Sequence, residues 1–161
     1  MSKTIQVLVA GSESKPFKEM VSVLKSMRGV KVLRIAASGE DVINTYSVLK
    51  ADVIFLDVVM EEMSGFETAR FIKEQNKKIK IVICSNKFDR EFLLSVLALK
   101  LDGYLPGYGN RDVIEETILS VANNKSYFHY GVGHNKLKYL TAYQYLQLLP
   151  PVNKKYSMND N

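Results

Sequence analysis

The chain has 161 residues, 47% of them hydrophobic, which is enough for one domain with a real core and an extension. Its formal net charge is +5, and its single cysteine, Cys84, excludes a disulfide framework and is typical of a reducing cytosol. No run approaches the ~18 apolar residues of a membrane span, and the first residues enter a strand without signal-peptide flanks, so we expect a cytoplasmic protein.

Short apolar runs alternate with amphipathic stretches along the first 123 residues. The apolar runs predict strands at 5–10, 30–36, 53–57, 79–85 and 103–105. The amphipathic stretches predict helices at 15–27, 40–49, 65–74, 89–99 and 111–123. Ser38, Ser64 and Asn110 are N-cap candidates for three of these helices. This strict alternation predicts an α/β protein with a parallel sheet covered by helices on both faces.

The composition changes near residue 124. From there to the end the chain has five lysines and one aspartate, a net charge of +4, whereas the preceding residues carry +1. Six of the nine tyrosines also lie in this tail. We therefore predict a domain at 1–123 and a basic, Tyr-rich extension at 124–161, with one helix at about 136–149 and a frayed end.

The carboxyl ends of the predicted strands bear the residues of interest, because ligands and chemistry gather there in parallel sheets. The run "VIFL" predicts a strand buried on both faces, and Asp57 follows it at once. A carboxylate at such a position is costly unless the site uses it. The other strand ends carry "GSES" at 11–14, Ser85 and Asn86, and "LPGYGN" at 105–110.

Three stretches, "ADVIFLDVVMEEMSGFE", "IKIVICSN" and "DGYLPG", carry a resemblance to a known family. The chain resembles, over residues 4–123, the CheY-like receiver domain of bacterial two-component response regulators, and is nearest to the nitrate-regulator type. The resemblance implies a doubly wound five-stranded parallel sheet of order 2-1-3-4-5, followed here by the C-terminal helical extension. It also implies a role in phosphorelay signal transduction rather than an enzymatic function of its own.

The resemblance implies a role for several residues. Asp57 matches the phospho-accepting aspartate, and Ser85 matches the hydroxyl residue that binds the phosphoryl group. Tyr104 matches the aromatic switch that moves inward with that hydroxyl. The backbone carbonyl of Val59 would bind Mg²⁺ together with Asp57.

Three departures from the family pattern concern the chemistry of this site. Gly11 and Ser12 occupy the positions of two adjacent metal-binding acids, Gly107 occupies that of the phosphate-binding lysine, and Glu61 replaces a proline. Glu13, one residue beyond the usual acids, is the candidate replacement ligand. Phosphoryl transfer depends on positioning and charge neutralisation, so these losses predict a weak or absent Mg²⁺ site and weak or no phosphorylation.

We therefore predict an atypical receiver domain that acts through protein–protein contacts. The resemblance places the output and dimer surface on the fourth helix, fifth strand and fifth helix, predicted at 89–99, 103–105 and 111–123. Tyr104 and Tyr108 are its expected anchors, because aromatic residues are common interface hot spots. A histidine kinase and a second copy of the chain are the other candidate partners.

Three alternatives remain. The first is a conventional Mg²⁺-dependent phospho-acceptor at Asp57 that is fed by a histidine kinase. The second is a DNA-binding regulator acting through the basic tail, although the tail is too short for the subfamily's helix-turn-helix domain. The third is a flavin-phosphate protein in which "GSESK" at 11–15 cradles the phosphate. The short motifs "GYG" at 107–109 and "GVG" at 131–133 lack the rest of a dinucleotide fingerprint.

Overall fold

The computed structural model describes residues 3–86 and 90–128, which form six strands and five helices. In chain order they are β1 Ile5–Ala10, α1 Lys15–Ser26, β2 Val30–Ala36, α2 Gly39–Thr45, β3 Val53–Asp57, α3 Gly65–Gln75, β4 Lys80–Ser85, α4 Arg90–Ala98, β5 Gly103–Pro106, α5 Arg111–Ala122 and β6 Tyr127–Phe128. The helix predicted at 136–149 and the predicted start of the fourth helix at residue 89 lie outside the described residues.

The six strands form one parallel sheet in the order β2-β1-β3-β4-β5-β6. The first five strands stand in the predicted order 2-1-3-4-5, so the predicted fold class is confirmed. The short strand β6 has no counterpart in the prediction; it pairs with β5 through Gly103 and Tyr104. A two-residue strand gives no periodic signal in the sequence, and its presence extends the sheet past residue 123.

The sheet separates two apolar layers, as the alternation of side chains along each strand requires. Strand β3 is buried along its full length, which explains its unbroken apolar run. One layer joins the sheet to α2, α3 and α4 and includes Leu8, Ile54, Ile83, Val42, Ile72, Val96 and Tyr104. The other joins the sheet to α1 and α5 and includes Val9, Phe55, Cys84, Phe17, Leu24, Ile114 and Ile118.

The predicted N-caps are observed. Ser64 forms a complete capping box with Glu67, and the side chains of Ser38 and Asn110 accept hydrogen bonds from the backbone of their own first turns. These caps fix where α2, α3 and α5 begin, and α3 and α5 are the helices that follow β3 and β5.

One helix end differs by more than one residue from the prediction. Helix α2 ends at Thr45, four residues before the predicted end, and the chain continues through turns to Lys50, which has a positive φ of 55°. The Ala51 N–H donates to the Tyr46 carbonyl and closes a turn over this segment. Within residues 3–86 and 90–128, none of the helices is both long and apolar enough to cross a membrane.

Candidate functional site

Asp57 is the last residue of β3, and its side chain is only 2% exposed. Its Oδ1 accepts a hydrogen bond of 3.1 Å from the Val59 backbone N–H. Its Oδ2 accepts one of 2.5 Å from the Tyr108 hydroxyl and a long contact of 3.5 Å from the Ser12 hydroxyl. Both carboxylate oxygens are therefore engaged by groups of the chain itself, which offsets the cost of burying them.

Tyr108 reaches Asp57 because of the loop that follows β5. Gly107, Tyr108 and Gly109 all have positive φ, at 66°, 62° and 70°. Two of these residues are glycines, for which a positive φ costs little. For Tyr108 the same conformation is unfavourable by on the order of 1–2 kcal/mol. The Gly107 N–H also donates to the Ser85 carbonyl at 2.6 Å. The loop is thus tied to β4 and directs a tyrosine, held in a costly conformation, at Asp57.

The ring of Tyr108 is 3% exposed and meets the ring of Phe17 edge-on, with centroids 6.4 Å apart. Phe17 in turn lies over Gly11, where an added Cβ would stand 2.5 Å from the Phe17 ring and 2.8 Å from the Asp57 Cβ. Gly11 is therefore required by close packing rather than by its backbone conformation. Together, Gly11, Phe17 and Tyr108 close the cleft around Asp57, and we call these three residues the Tyr108 plug.

The residues predicted for phosphoryl binding and switching lie on β4 and β5, the strands that follow β3 in the sheet. Asp57 pairs with Cys84 on β4, and Ser85 is the next residue outward, 4% exposed. Tyr104 is fully buried in the layer beneath α3 and α4. Val59 follows Asp57 by two residues, and its backbone N–H donates a hydrogen bond to the Asp57 carboxylate.

Glu13 is not brought to Asp57. Its side chain is 93% exposed and lies 3.9 Å from the Lys18 ammonium, on the outside of the α1 entry. Glu61 is also exposed, and its backbone forms an isolated bridge with Ser38. Neither acid therefore replaces the pair whose positions Gly11 and Ser12 occupy.

The expectation that Tyr104 and Tyr108 anchor a partner surface is wrong, because their side chains are 0% and 3% exposed. Tyr104 fills the core below α4, and Tyr108 is turned inward by its hydrogen bond to Asp57. Leu94 on α4 and Leu119 on α5 are exposed instead, at 42% and 52%.

The residues at this site do not fit Mg²⁺. Among residues 3–86 and 90–128, no group of three His, Cys, Asp or Glu side chains is placed to hold a metal ion. Mg²⁺ takes an octahedral shell of oxygens and commonly binds through one or two carboxylates. Here Asp57 is a single carboxylate, and its two oxygens already accept hydrogen bonds from Tyr108 and Val59.

Burial and the negative charge of Asp57 both contribute to a raised pKa at two neighbours, Tyr108 and Cys84. Burial, followed by the hydrogen bond to Asp57 and its charge, raises the pKa of Tyr108 above the ordinary value of 10.0, so the phenol keeps the proton that it donates. Burial, followed by the charge of Asp57, raises the pKa of Cys84. Cys84 is 0% exposed and lies against the Met20 sulfur, which confirms its interpretation as a small apolar strand residue.

The raised pKa of Tyr108 predicts a loss of stability at alkaline pH. The unfolded chain releases this proton near pH 10.0, below the pH at which the folded chain does. The corresponding stability is therefore complete below pH 10 and is lost as the pH rises from there toward the folded pKa. We expect urea unfolding at a series of alkaline pH values to show a smaller decline for Tyr108→Phe than for the wild type. Equal declines in the two proteins would contradict this.

The role of Tyr108 at Asp57 was not predictable from short motifs. The two residues lie 51 positions apart, and "GYG" matches no complete binding fingerprint. The available signal was the pair of glycines around a tyrosine directly after a strand, which is typical of a loop with positive φ.

Comparisons with known proteins agree with the fold. The family model described as the response regulator receiver domain matches residues 7–119. The protein superposes on the isolated REC domain of RcsB from Salmonella enterica serovar Typhimurium, solved in the presence of the phosphomimetic BeF3⁻. The TM-score is 0.71, at 18% identity, over 79% of this chain and 94% of that one, which shows a shared fold.

Two curated relatives are transcriptional regulatory protein DegU of Brevibacillus brevis and response regulator protein VraR of Staphylococcus saprophyticus. DegU is 27% identical over 83% of this chain and 57% of its own length, and VraR is 28% identical over 66% and 51%. The chain thus spans about half the length of the curated relatives it matches. Because the family model covers most of its length, this chain belongs to the response regulator receiver-domain family of two-component signalling.

Proposed function

We propose that this chain is an atypical receiver domain that signals through protein–protein contacts, with weak or no phosphorylation of Asp57. The observation that carries the proposal is the 2.5 Å hydrogen bond from the Tyr108 hydroxyl to Asp57 Oδ2 inside a closed cleft. Tyr108 occupies the approach to the carboxylate that a phosphoryl donor would need.

The charges around Asp57 support this proposal. Transfer to a carboxylate requires a free oxygen as nucleophile and cations that neutralise the phosphoryl oxygens. None of the ion pairs in the described part of the chain involves Asp57. Removal of one preorganised electrostatic contact costs about 3–4 kcal/mol of transition-state stabilisation. This site lacks both the metal-binding acids and the lysine, so we expect transfer to be slower by orders of magnitude.

The burial of Tyr104 supports signalling that does not depend on phosphorylation of Asp57. The resemblance assigns Tyr104 an inward position when the switch is engaged, and here its side chain is already fully buried. We infer that the surface of α4, β5 and α5 is the partner surface, on which Leu94 of α4 is exposed. A second protein of the signalling pathway or a second copy of this chain is the candidate partner.

The contacts at Asp57 and at the start of α1 also bear on two of the three alternative functions. A conventional phospho-acceptor fed by a histidine kinase requires Tyr108 to leave Asp57. A flavin phosphate at the start of α1 is disfavoured, because Pro16 has no N–H and the Phe17 N–H already donates to the Ser14 side chain. The tail that would contact DNA lies outside the described residues.

A titration with Mg²⁺ and beryllofluoride, which mimics an aspartyl phosphate, tests the proposal. We expect the amide NMR signals of Val59, Ser85 and Tyr104 to stay unchanged in the wild type, because the site offers neither the oxygens for the metal nor a cation for the mimic. Incubation with acetyl phosphate should likewise leave the protein mass unchanged.

The matched controls are Asp57→Asn and a conventional receiver domain treated in the same way. Saturable shifts around Asp57 that disappear in Asp57→Asn would overturn the proposal and favour the conventional phospho-acceptor. Tyr108→Phe identifies the cause. If this variant responds and the wild type does not, the Tyr108 plug is the main obstacle; if neither responds, the missing acids and lysine suffice.

A further inference from the structure

A groove of about 790 Å³ lies beside the Tyr108 plug. It is bounded by α1, by the carboxyl ends of β1 and β2, and by the segment that follows β3. Its volume falls within the range of sites that hold small organic molecules. It also adjoins the β1/β3 boundary, where the direction of strand order reverses and where ligands bind in doubly wound sheets.

The groove is mainly apolar, and its apolar wall is exposed. Phe17, Val21 and Ala36 form its base, and Ile35 and Val59 form part of its rim. Ile35 is 46% exposed and Val59 is 74% exposed. Both therefore have apolar surface that a bound molecule would remove from water, which favours binding.

The α1 wall of the groove adds positive charge. Lys18, Val21, Ser22 and Lys25 recur at helical spacing and all line the groove. No carboxylate in the described part of the chain lies within ion-pair distance of Lys25. The partner of Lys18 is the loosely held and exposed Glu13.

Neither acid at the groove forms an ion pair with Lys25 among the described residues. Glu13 is at the α1 entry, beside Lys18, and Glu61 is on the segment after β3. The end of the groove at Lys25 therefore has a cation without a compensating carboxylate, next to an apolar surface.

We propose that this groove binds an amphipathic organic anion, whose apolar body contacts Val21, Ile35 and Val59 and whose acid group lies at Lys25. The shape favours a small molecule, since the groove is concave and of limited volume. This inference goes beyond the proposed function and holds whether or not Asp57 accepts a phosphoryl group. Because Ser12 and Val59 both line the groove and contact Asp57, an occupant would lie directly against the site.

NMR titration of the full chain tests the proposal, with decanoate and decylamine kept below their micelle concentrations and decanol below its solubility limit. The three probes share an apolar body and differ in head-group charge. We expect saturable shifts at groove residues with affinity in the order decanoate, decanol, decylamine. Lys25→Gln should weaken decanoate about fivefold and leave decanol unchanged.

Two pairs of variants serve as matched controls. Val59→Ser should weaken all three probes, whereas Val48→Ser, at another exposed valine, should weaken none. Lys31→Gln, outside the groove, should leave decanoate unchanged. Equal affinities for the three probes, shifts away from the groove, or no saturable binding would overturn the proposal. Groove signals that shift with protein concentration alone would also overturn it, because a second copy would then fill the groove.

Discussion

Replacing Tyr108 with phenylalanine should lower the free energy of unfolding by about 1.5–3 kcal/mol. The substitution removes the hydroxyl that donates to Asp57 Oδ2 at 2.5 Å and leaves a buried carboxylate oxygen with only the long Ser12 contact. The loss is at the upper end for a hydrogen bond because the acceptor is charged and Asp57 is only 2% exposed. Urea unfolding of the wild type and the variant measures the difference.

Tyr46→Phe is the matched control. Tyr46 is also buried, at 8% exposure, but its hydroxyl makes no hydrogen bond among the described residues. This change should therefore have a small effect. A double-mutant cycle that combines Tyr108→Phe with Asp57→Asn measures the interaction between these two side chains, and we expect a clear coupling energy in the free energy of unfolding. Equal losses in Tyr108→Phe and Tyr46→Phe, or additive losses in the cycle, would show that the hydrogen bond contributes little.

Gly11→Ala should destabilise the chain by about 1–3 kcal/mol. The added methyl would stand 2.5 Å from the Phe17 ring and 2.8 Å from the Asp57 Cβ, so Phe17 must move away from Tyr108. We expect a lower urea midpoint together with a changed Tyr108 ring environment in aromatic NMR spectra. These two readouts distinguish displacement of the plug from a general loss of stability.

The background variant Phe17→Leu is the corresponding control. The smaller side chain makes room for the methyl, so Gly11→Ala should cost less in the Phe17→Leu protein than in the wild type. If the losses in free energy of unfolding for the two substitutions are simply additive, the close contact between positions 11 and 17 does not restrict the side chain at position 11.

The fold was largely predictable because its signals are local. Each strand of the first five is a short apolar run, each helix has a one-sided apolar pattern, and Ser64 and Asn110 mark two helix starts. The position of Asp57 at the carboxyl end of a buried strand was also predictable, because the apolar run stops there. A charged residue at such a position is costly unless it has a use.

The chemistry around Asp57 was less predictable because it depends on contacts across the sheet. The sequence indicates that acids are absent at 11 and 12, but it does not indicate that a tyrosine 51 residues away fills the space. That contact needs a non-glycine residue with positive φ, which propensities disfavour. The burial of Tyr104 and Tyr108 likewise follows from three-dimensional packing and overrides the expectation that aromatic residues near β5 face a partner.

The contact between Gly11 and Phe17 also constrains the order in which this site can change. An acidic side chain introduced at position 11 would clash with the Phe17 ring before its carboxylate could bind a metal ion. A smaller residue at position 17 alone would remove the ring that packs against Tyr108. A single change at position 11 or at position 17 is therefore costly, and only coordinated changes at the two positions reduce the cost. The arrangement is in this sense entrenched: the ring packed on Gly11 resists any larger side chain at that position.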